Sequence, residues 1–199
     1  MKKVLLFLAQ GFEELEAAAF IDVFGWTRVT PGVEPVEVVV AGLHRKVTAA
    51  HSLVVKPQHL LEELDLEEFD AFVLPGGFHD RGFTEAYSRE VLEAMRAIYN
   101  SGGVIASVCV GAKPVAKAGL LRGREATTYP FDGGVHTRYL EEHGADVVDA
   151  ALAVSGRIIT SYGPATAVEV AFRLLEMLSG KGDVERVREA MGFGAAKSV

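Results

Sequence analysis

A single cysteine among 199 residues, Cys109, has no second thiol to pair with. That excludes an internal disulfide framework and fits a reducing compartment, so a cytoplasmic location is expected. One cysteine and six scattered histidines cannot build a structural zinc site, and no metal is expected. No apolar run is long enough to span a bilayer. The opening Lys2-Lys3-Val4-Leu5-Leu6-Phe7-Leu8-Ala9 is too short for a secretory signal and runs straight into Glu13, Glu14 and Glu16. No basic stripe offsets the net charge of −7, which argues against nucleic acid or an anionic membrane as partner. Neither a phosphate-cradling Gly-x-x-x-x-Gly-Lys nor a dinucleotide fingerprint occurs, so no cofactor is expected. Asn100 is the only asparagine, and Gln10 and Gln58 are the only glutamines, a scarcity of thermolabile amides that points to a heat-adapted or GC-rich source.

What is present describes an ordinary globular chain, 49% hydrophobic and 24% charged. Its length fits one domain, expected over residues 1–192, with a frayed tail over 193–199. Short apolar runs alternate with helical patterns. Lys3–Leu8, Val36–Ala41, Ala71–Leu74, Val104–Val108 and Arg157–Ser161 read as strands, and Lys46–Lys56 as a hairpin-like excursion. Glu13–Trp26 reads as a helix with Leu15, Ala18, Ala19, Ile21, Asp22 and Phe24 in its pattern. Ser88–Tyr99 is amphipathic, and Gly111–Leu120 forms a short helix. Pro164 at the first helical position opens a helix that stops at Gly180, and Asp183 caps a last one to Met191. Such alternation predicts an α/β fold, a mostly parallel sheet with helices on both faces. Ligands of open α/β sheets bind beyond the strands' carboxyl ends. Ala9-Gln10-Gly11, Pro75-Gly76-Gly77 and Cys109 converge there, and Gly163 and Pro164, which follow the next strand, are expected to line the same place.

Cys109 follows a buried strand and precedes a short helix, the setting of a nucleophile elbow whose free amides favour a thiolate. The alternative is a small hydrophobe packed in a core strand. Glu13, Glu14 and Glu16 fall in the first turn of the first helix, where carboxylates complement the helix dipole. Glu16 differs, because Leu15, Ala18 and Ala19 flank it and turn it toward the sheet, where burial raises its pKa and suits it to acid–base work. The amides of Gly77 and Val110 can form an oxyanion hole.

Four segments together resemble the ThiJ/PfpI superfamily, in particular its parkinsonism-associated deglycase branch. They are Gly11-Phe12-Glu13-Glu14-Leu15-Glu16, Val73-Leu74-Pro75-Gly76-Gly77, Ala106-Ser107-Val108-Cys109-Val110-Gly111, and Ile159-Thr160-Ser161-Tyr162-Gly163-Pro164-Ala165-Thr166-Ala167. The resemblance spans nearly the whole chain and implies a flavodoxin-like three-layer sandwich, like that of class I glutamine amidotransferases, in a homodimer. It implies a reactive Cys109 hydrogen-bonded to a protonated Glu16, with backbone-amide positions at Gly76, Gly77 and Val110. Two departures stand out. The protease branch places a histidine directly after the cysteine, and here Val110 stands there. The deglycase branch often carries Thr-Thr-His-Pro, and here the stretch is Thr127-Thr128-Tyr129-Pro130, so Tyr129 takes the histidine's place.

His51 lies where relatives often carry an arginine near the partner's site, which assigns it a role across the dimer interface. His136, after Gly133-Gly134, sits in a loop that can approach the site. His44, His59, His79 and His143 are assigned to solvated surface or loops. The leading expectation is a cofactor-free enzyme acting on small reactive carbonyls or their adducts, a glutathione-independent glyoxalase or deglycase. The alternatives are a stress-response redox sensor or chaperone with an oxidisable Cys109, and an intracellular cysteine peptidase, disfavoured by Val110.

Overall fold

The structure, a computed structural model, describes residues 1–193. The apolar run at the start forms β1 (Lys2–Phe7), and a loop leads from it into α1 (Glu14–Thr27) and β2 (Val36–Gly42). A two-stranded hairpin, β3 (Val47–Thr48) with β4 (Val54–Val55), occupies the predicted excursion. Then come β5 (His59–Leu60), β6 (Ala71–Leu74), α2 (Arg89–Asn100), β7 (Val104–Ser107) and α3 (Ala112–Lys117). The second half holds β8 (Glu125–Ala126), α4 (Val135–Glu142), β9 (Asp146–Val147), β10 (Leu152–Ser155), β11 (Ile158–Ser161), α5 (Ala167–Ser179) and α6 (Lys181–Ala190).

Seven strands make one sheet in the order β10-β11-β7-β6-β1-β2-β5, parallel throughout except for β10, which pairs antiparallel with β11. Central strands are buried on both faces: Val4, Leu5, Leu6 and Phe7 are each 0% exposed, which is why β1 reads as an unbroken apolar run. Val4 and Leu6 pack with Phe20, Phe24, Phe172 and Leu175 of α1 and α5. Leu5 and Phe7 pack with Met95, Ile98, Val115 and Leu140 of α2, α3 and α4. The result is the expected flavodoxin-like three-layer sandwich. Because β2 and β6 flank β1 on opposite sides, the connections diverge there and leave a crevice beyond the carboxyl ends of β1 and β6.

Several local expectations are corrected. In α1, Leu15, Ala18, Ile21 and Asp22 are exposed, and the buried side is Glu16, Ala17, Ala19, Phe20, Val23, Phe24 and Thr27. Pro164 opens a single 3-10 turn, Pro164–Thr166, and α5 proper begins at Ala167. Gly180 both ends α5 and precedes α6, so Asp183 is not a cap but sits in the first turn, its carboxylate paired with Arg186 at 2.5 Å. The tail expected to fray falls outside the described residues except for Phe193, whose ring meets Phe172 edge-on at 5.4 Å. No helix among the described residues is long and apolar enough to cross a membrane.

Candidate active site

The loops after β1 and β6 are stitched by a bridge between Phe12 and Gly77. Phe78 N–H donates to Gly11 O and Glu13 N–H to Gly76 O, both at 2.9 Å, so the bridge leaves the Gly77 N–H free. The approach admits no side chain. A Cβ on Gly77 would lie 2.4 Å from Gly11 O, and one on Gly76 would lie 2.8 Å from Cys109 Cβ and 3.0 Å from Glu16 Oε2. Gly76→Ala is therefore expected to destabilise the fold by about 1–3 kcal/mol. It should also prise Glu16 from Cys109, seen as a lower Tm and a changed rate of Cys109 alkylation by iodoacetamide. An unchanged alkylation rate would show that this packing does not set the site.

Cys109 adopts φ 56, the left-handed region that a residue with a side chain rarely occupies. Strain of this kind persists where the surroundings impose it. Val108 N–H donates to Leu74 O (3.2 Å), Gly111 N–H donates to Val108 O (2.9 Å), and Thr128 Oγ1 donates to Cys109 O (2.9 Å). A Cβ on Gly111 would strike Leu74 O at 2.6 Å, so glycine lets the turn seat against β6. The sharp elbow expected from the sequence is thus present at Cys109, one residue beyond the strand and its Val108 extension.

Glu16 is 0% exposed. Its Oε2 accepts the Gly76 N–H at 2.6 Å, its Oε1 is buried without another partner, and the Cys109 thiol adjoins the carboxyl. Burial pushes the Glu16 pKa up to about 8, Glu13 adds to it, and the Gly76 N–H only partly offsets the rise. With its pKa at about 8, the carboxyl holds its proton at pH 7. Burial also raises the Cys109 thiol, the Glu16 charge raises it further, and the Val110 N–H opposes both. The freestanding low-pKa thiolate expected from the turn amides is therefore absent, because desolvation outweighs them. The thiol and carboxyl titrate as a pair.

A cavity of about 320 Å³ opens onto this pair, lined by Glu13, Glu16, Gly77, Phe78, His79, Cys109, Val110, Tyr129, His136 and Pro164. Gly163 closes one side, where a Cβ would sit 3.9 Å from Cys109 Sγ. Of the residues singled out in the sequence, Cys109, Glu16, Gly77, Val110, Tyr129, His136 and Pro164 meet here, with Gly76 directly behind. His51 does not line the cavity. It is exposed, its N–H and Nδ1 both engage the Glu14 carboxylate at 2.8 Å, and its ring meets Phe78 edge-on at 6.0 Å. Glu13, Glu14 and His51 also form a group whose ligand atoms lie within 4.8 Å of one another. Among the described residues that is the one metal-capable cluster, and the His51–Glu14 ion pair accounts for it. Three lining residues were not assigned to the site, Glu13, Phe78 and His79. Glu13, read as a helix-dipole carboxylate, precedes α1 and faces the cavity, while His79 is exposed in a loop as expected and lines the cavity as well. Phe78 and His79 directly follow Gly76-Gly77 at the strand's carboxyl end, and that position is the signal that would have found them.

Residues 2–177 match the model of the DJ-1/PfpI family. The Drosophila melanogaster protein dj-1beta is 31% identical over 194 residues, covering 96% of each chain. A deglycase of Pyrococcus horikoshii is 32% identical over 164 residues, covering 82% of this chain and 91% of its own. The crystal structure of Drosophila dj-1beta superposes with a TM-score of 0.82 over 96% of this chain and 97% of that one. Oxidized DJ-1 of Toxoplasma gondii, 26% identical, superposes with a TM-score of 0.84 over 98% of this chain and all of that one. With its sequence matched over residues 2–177 and its fold superposing on these structures, the chain belongs to the DJ-1/PfpI family.

Proposed function

We propose that this protein is a cofactor-independent enzyme acting on small reactive carbonyls or their adducts, a glutathione-independent glyoxalase or deglycase. One observation carries the reading: a strained Cys109 shares a cavity with the buried, proton-bearing Glu16 and with two amides, of Gly77 and Val110, outside the backbone ladder. Addition of the thiol to an aldehyde carbon creates an oxyanion, and preorganised N–H groups stabilise such charge without reorganising. Glu16 gives that oxygen its proton and takes up the one the thiol releases as the carbon–sulfur bond forms, so it is protonated again for the next step. The resulting hemithioacetal then rearranges and is hydrolysed to a 2-hydroxy acid. The archaeal relatives named deglycases support carbonyl-adduct chemistry.

The reading includes a homodimer working in the cytoplasm. Leu15, Ile21 and Val29 on and just after α1, with Leu53 and Val54 of the hairpin, leave large apolar side chains exposed, as an interface would. Sedimentation should give twice the chain mass. The test of function is direct: purified protein with methylglyoxal and no thiol cofactor should consume the aldehyde and release lactate stoichiometrically. Consumption without lactate would reveal only a reactive thiol trapping the aldehyde.

A further inference from the structure

Glu16 serves as the proton donor, so a carbon-bound proton needs a second group to accept it. Glu13, His79 and His136 are the other titratable candidates lining the cavity; the Glu13 carboxylate is turned to the exposed His51, its Oε2 3.9 Å from Nδ1. We infer that His79 is that acceptor, with Tyr87 as its positioning residue, and that it stands in for the histidine Tyr129 replaces. The inference rests on the carbonyl-enzyme reading above.

Two imidazoles line the cavity, His79 and His136. His136 has both nitrogens committed: Nδ1 lies 3.2 Å from Lys113 Nζ and Nε2 lies 3.2 Å from Asp132 Oδ2. An ammonium only donates, so Nδ1 accepts and the ring proton points at Asp132. The Asp132 carboxylate also receives the N–H groups of Gly134, Val135 and His136, which gives this chain of groups a role in starting α4. His79 is different. Its Nε2 lies 3.1 Å from the Tyr87 hydroxyl, its ring packs against Phe83 (5.8 Å) and Tyr87 (5.6 Å), and its Nδ1 has no partner among the described residues. The tautomer with Nε2–H donating to Tyr87 leaves the Nδ1 lone pair free. Tyr87 also accepts from the imidazolium that forms once a proton is taken.

The charged and titratable groups around this ring act in both directions. Asp80 raises the His79 pKa, while burial and Lys113 lower it and prevail, so the ring is neutral at pH 7. Lys117 lies 5.5 Å over the Tyr87 ring, and Tyr139 meets that ring edge-on at 6.4 Å. His136 shares the cavity, and Arg81 follows Asp80 with its Nε 3.8 Å from that carboxylate.

The proton bookkeeping closes without oxidant or metal. In the hemithioacetal, the carbon bonded to sulfur carries a hydrogen. His79 takes it as a proton, the freed electron pair forms the enediol double bond, and Glu16 protonates the neighbouring carbonyl oxygen. The imidazolium then gives its proton to that neighbouring carbon while the hydroxyl on the sulfur-bearing carbon returns a proton to Glu16, leaving a thioester. Water cleaves the carbon–sulfur bond, releasing the 2-hydroxy acid and the Cys109 thiol.

The test compares wild type, His79→Ala and Tyr87→Phe with methylglyoxal, following lactate, while iodoacetamide alkylation of Cys109 reports that the site is intact. His79→Ala should lose about 10²- to 10⁴-fold in lactate formation, retain alkylation, and recover part of its rate with added imidazole. Tyr87→Phe should shift the acid limb of the pH–rate profile to lower pH, because the imidazolium loses its acceptor. If His79→Ala fails to fold, His79→Asn carries the same measurements. An active wild type with His79→Ala within about threefold of it, far short of a lost general base, or no imidazole rescue, overturns the inference alone. A wild type that forms no lactate overturns the functional reading and the inference with it.

Discussion

Cys109→Ala is expected to bring lactate formation from methylglyoxal down to the uncatalysed background while leaving the fold intact. No second cysteine exists to replace the nucleophile. The oxyanion donors and Glu16 stay in place but have no covalent intermediate to act on. Stability should barely change, because alanine inherits the same left-handed backbone at φ 56 and its cost of roughly 1–2 kcal/mol. Cys109→Gly separates the two effects: it should be equally inactive yet at least as stable as Cys109→Ala, since glycine occupies that region without penalty. Lactate assays and thermal melts on the three proteins decide the matter. Lactate formed by Cys109→Ala above background would remove the thiol from the mechanism.

How much of this was legible in the sequence depends on the range of the interaction. The central strands announce themselves, because a strand covered on both faces must be apolar at every position, as Val4 to Phe7 are. The amphipathic α2 does too, with Val91, Leu92, Met95 and Ile98 on its buried side. The hidden pieces depend on partners distant in the chain. Glu16 points inward as expected, but not because Leu15 and Ala18 draw it in, for both are exposed. The Gly76 N–H, sixty residues away, holds its carboxylate, and no local pattern encodes that bond. α4 escaped because its residues His136, Thr137 and Arg138 are polar and its start is fixed by Asp132 rather than by an apolar stripe. The antiparallel β10 was missed as well; it lies at the sheet edge, where only Ala153 of its four residues is buried. The thiolate expectation failed for a related reason: helix-start amides are visible in sequence, whereas the depth of burial that outweighs them is not.

Glu16→Gln should separate the chemistry of that burial from its packing. Glutamine keeps the shape and still accepts the Gly76 N–H, but it cannot cycle a proton, so lactate formation should fall about 10²- to 10⁴-fold. Stability should respond in a pH-dependent way, and its sign follows from proton uptake. Glu16 ionises near 4.5 when unfolded and near 8 when folded, so between those values the folded state binds the extra proton. Stability from this group is then fully present below pH 4.5 and declines by about 1.4 kcal/mol per pH unit up to about 8, flattening above it. Glutamine has no such dependence. The stability of Glu16→Gln relative to wild type should therefore rise steadily between pH 5 and pH 8, and the neighbouring Glu13 and His51, present in both proteins, largely cancel in that difference. Cysteine reactivity should follow the same titration. In the wild type the pair loses its first proton near pH 8, and the carboxylate formed can take the thiol's proton, so iodoacetamide alkylation should climb through that pH. In Glu16→Gln that step should vanish and the rise should move to higher pH, where only the thiol's own ionisation remains. Parallel stability curves and identical alkylation profiles in the two proteins would mean that Glu16 is already ionised at neutral pH, and the carboxyl could not be the donor that the carbonyl chemistry requires.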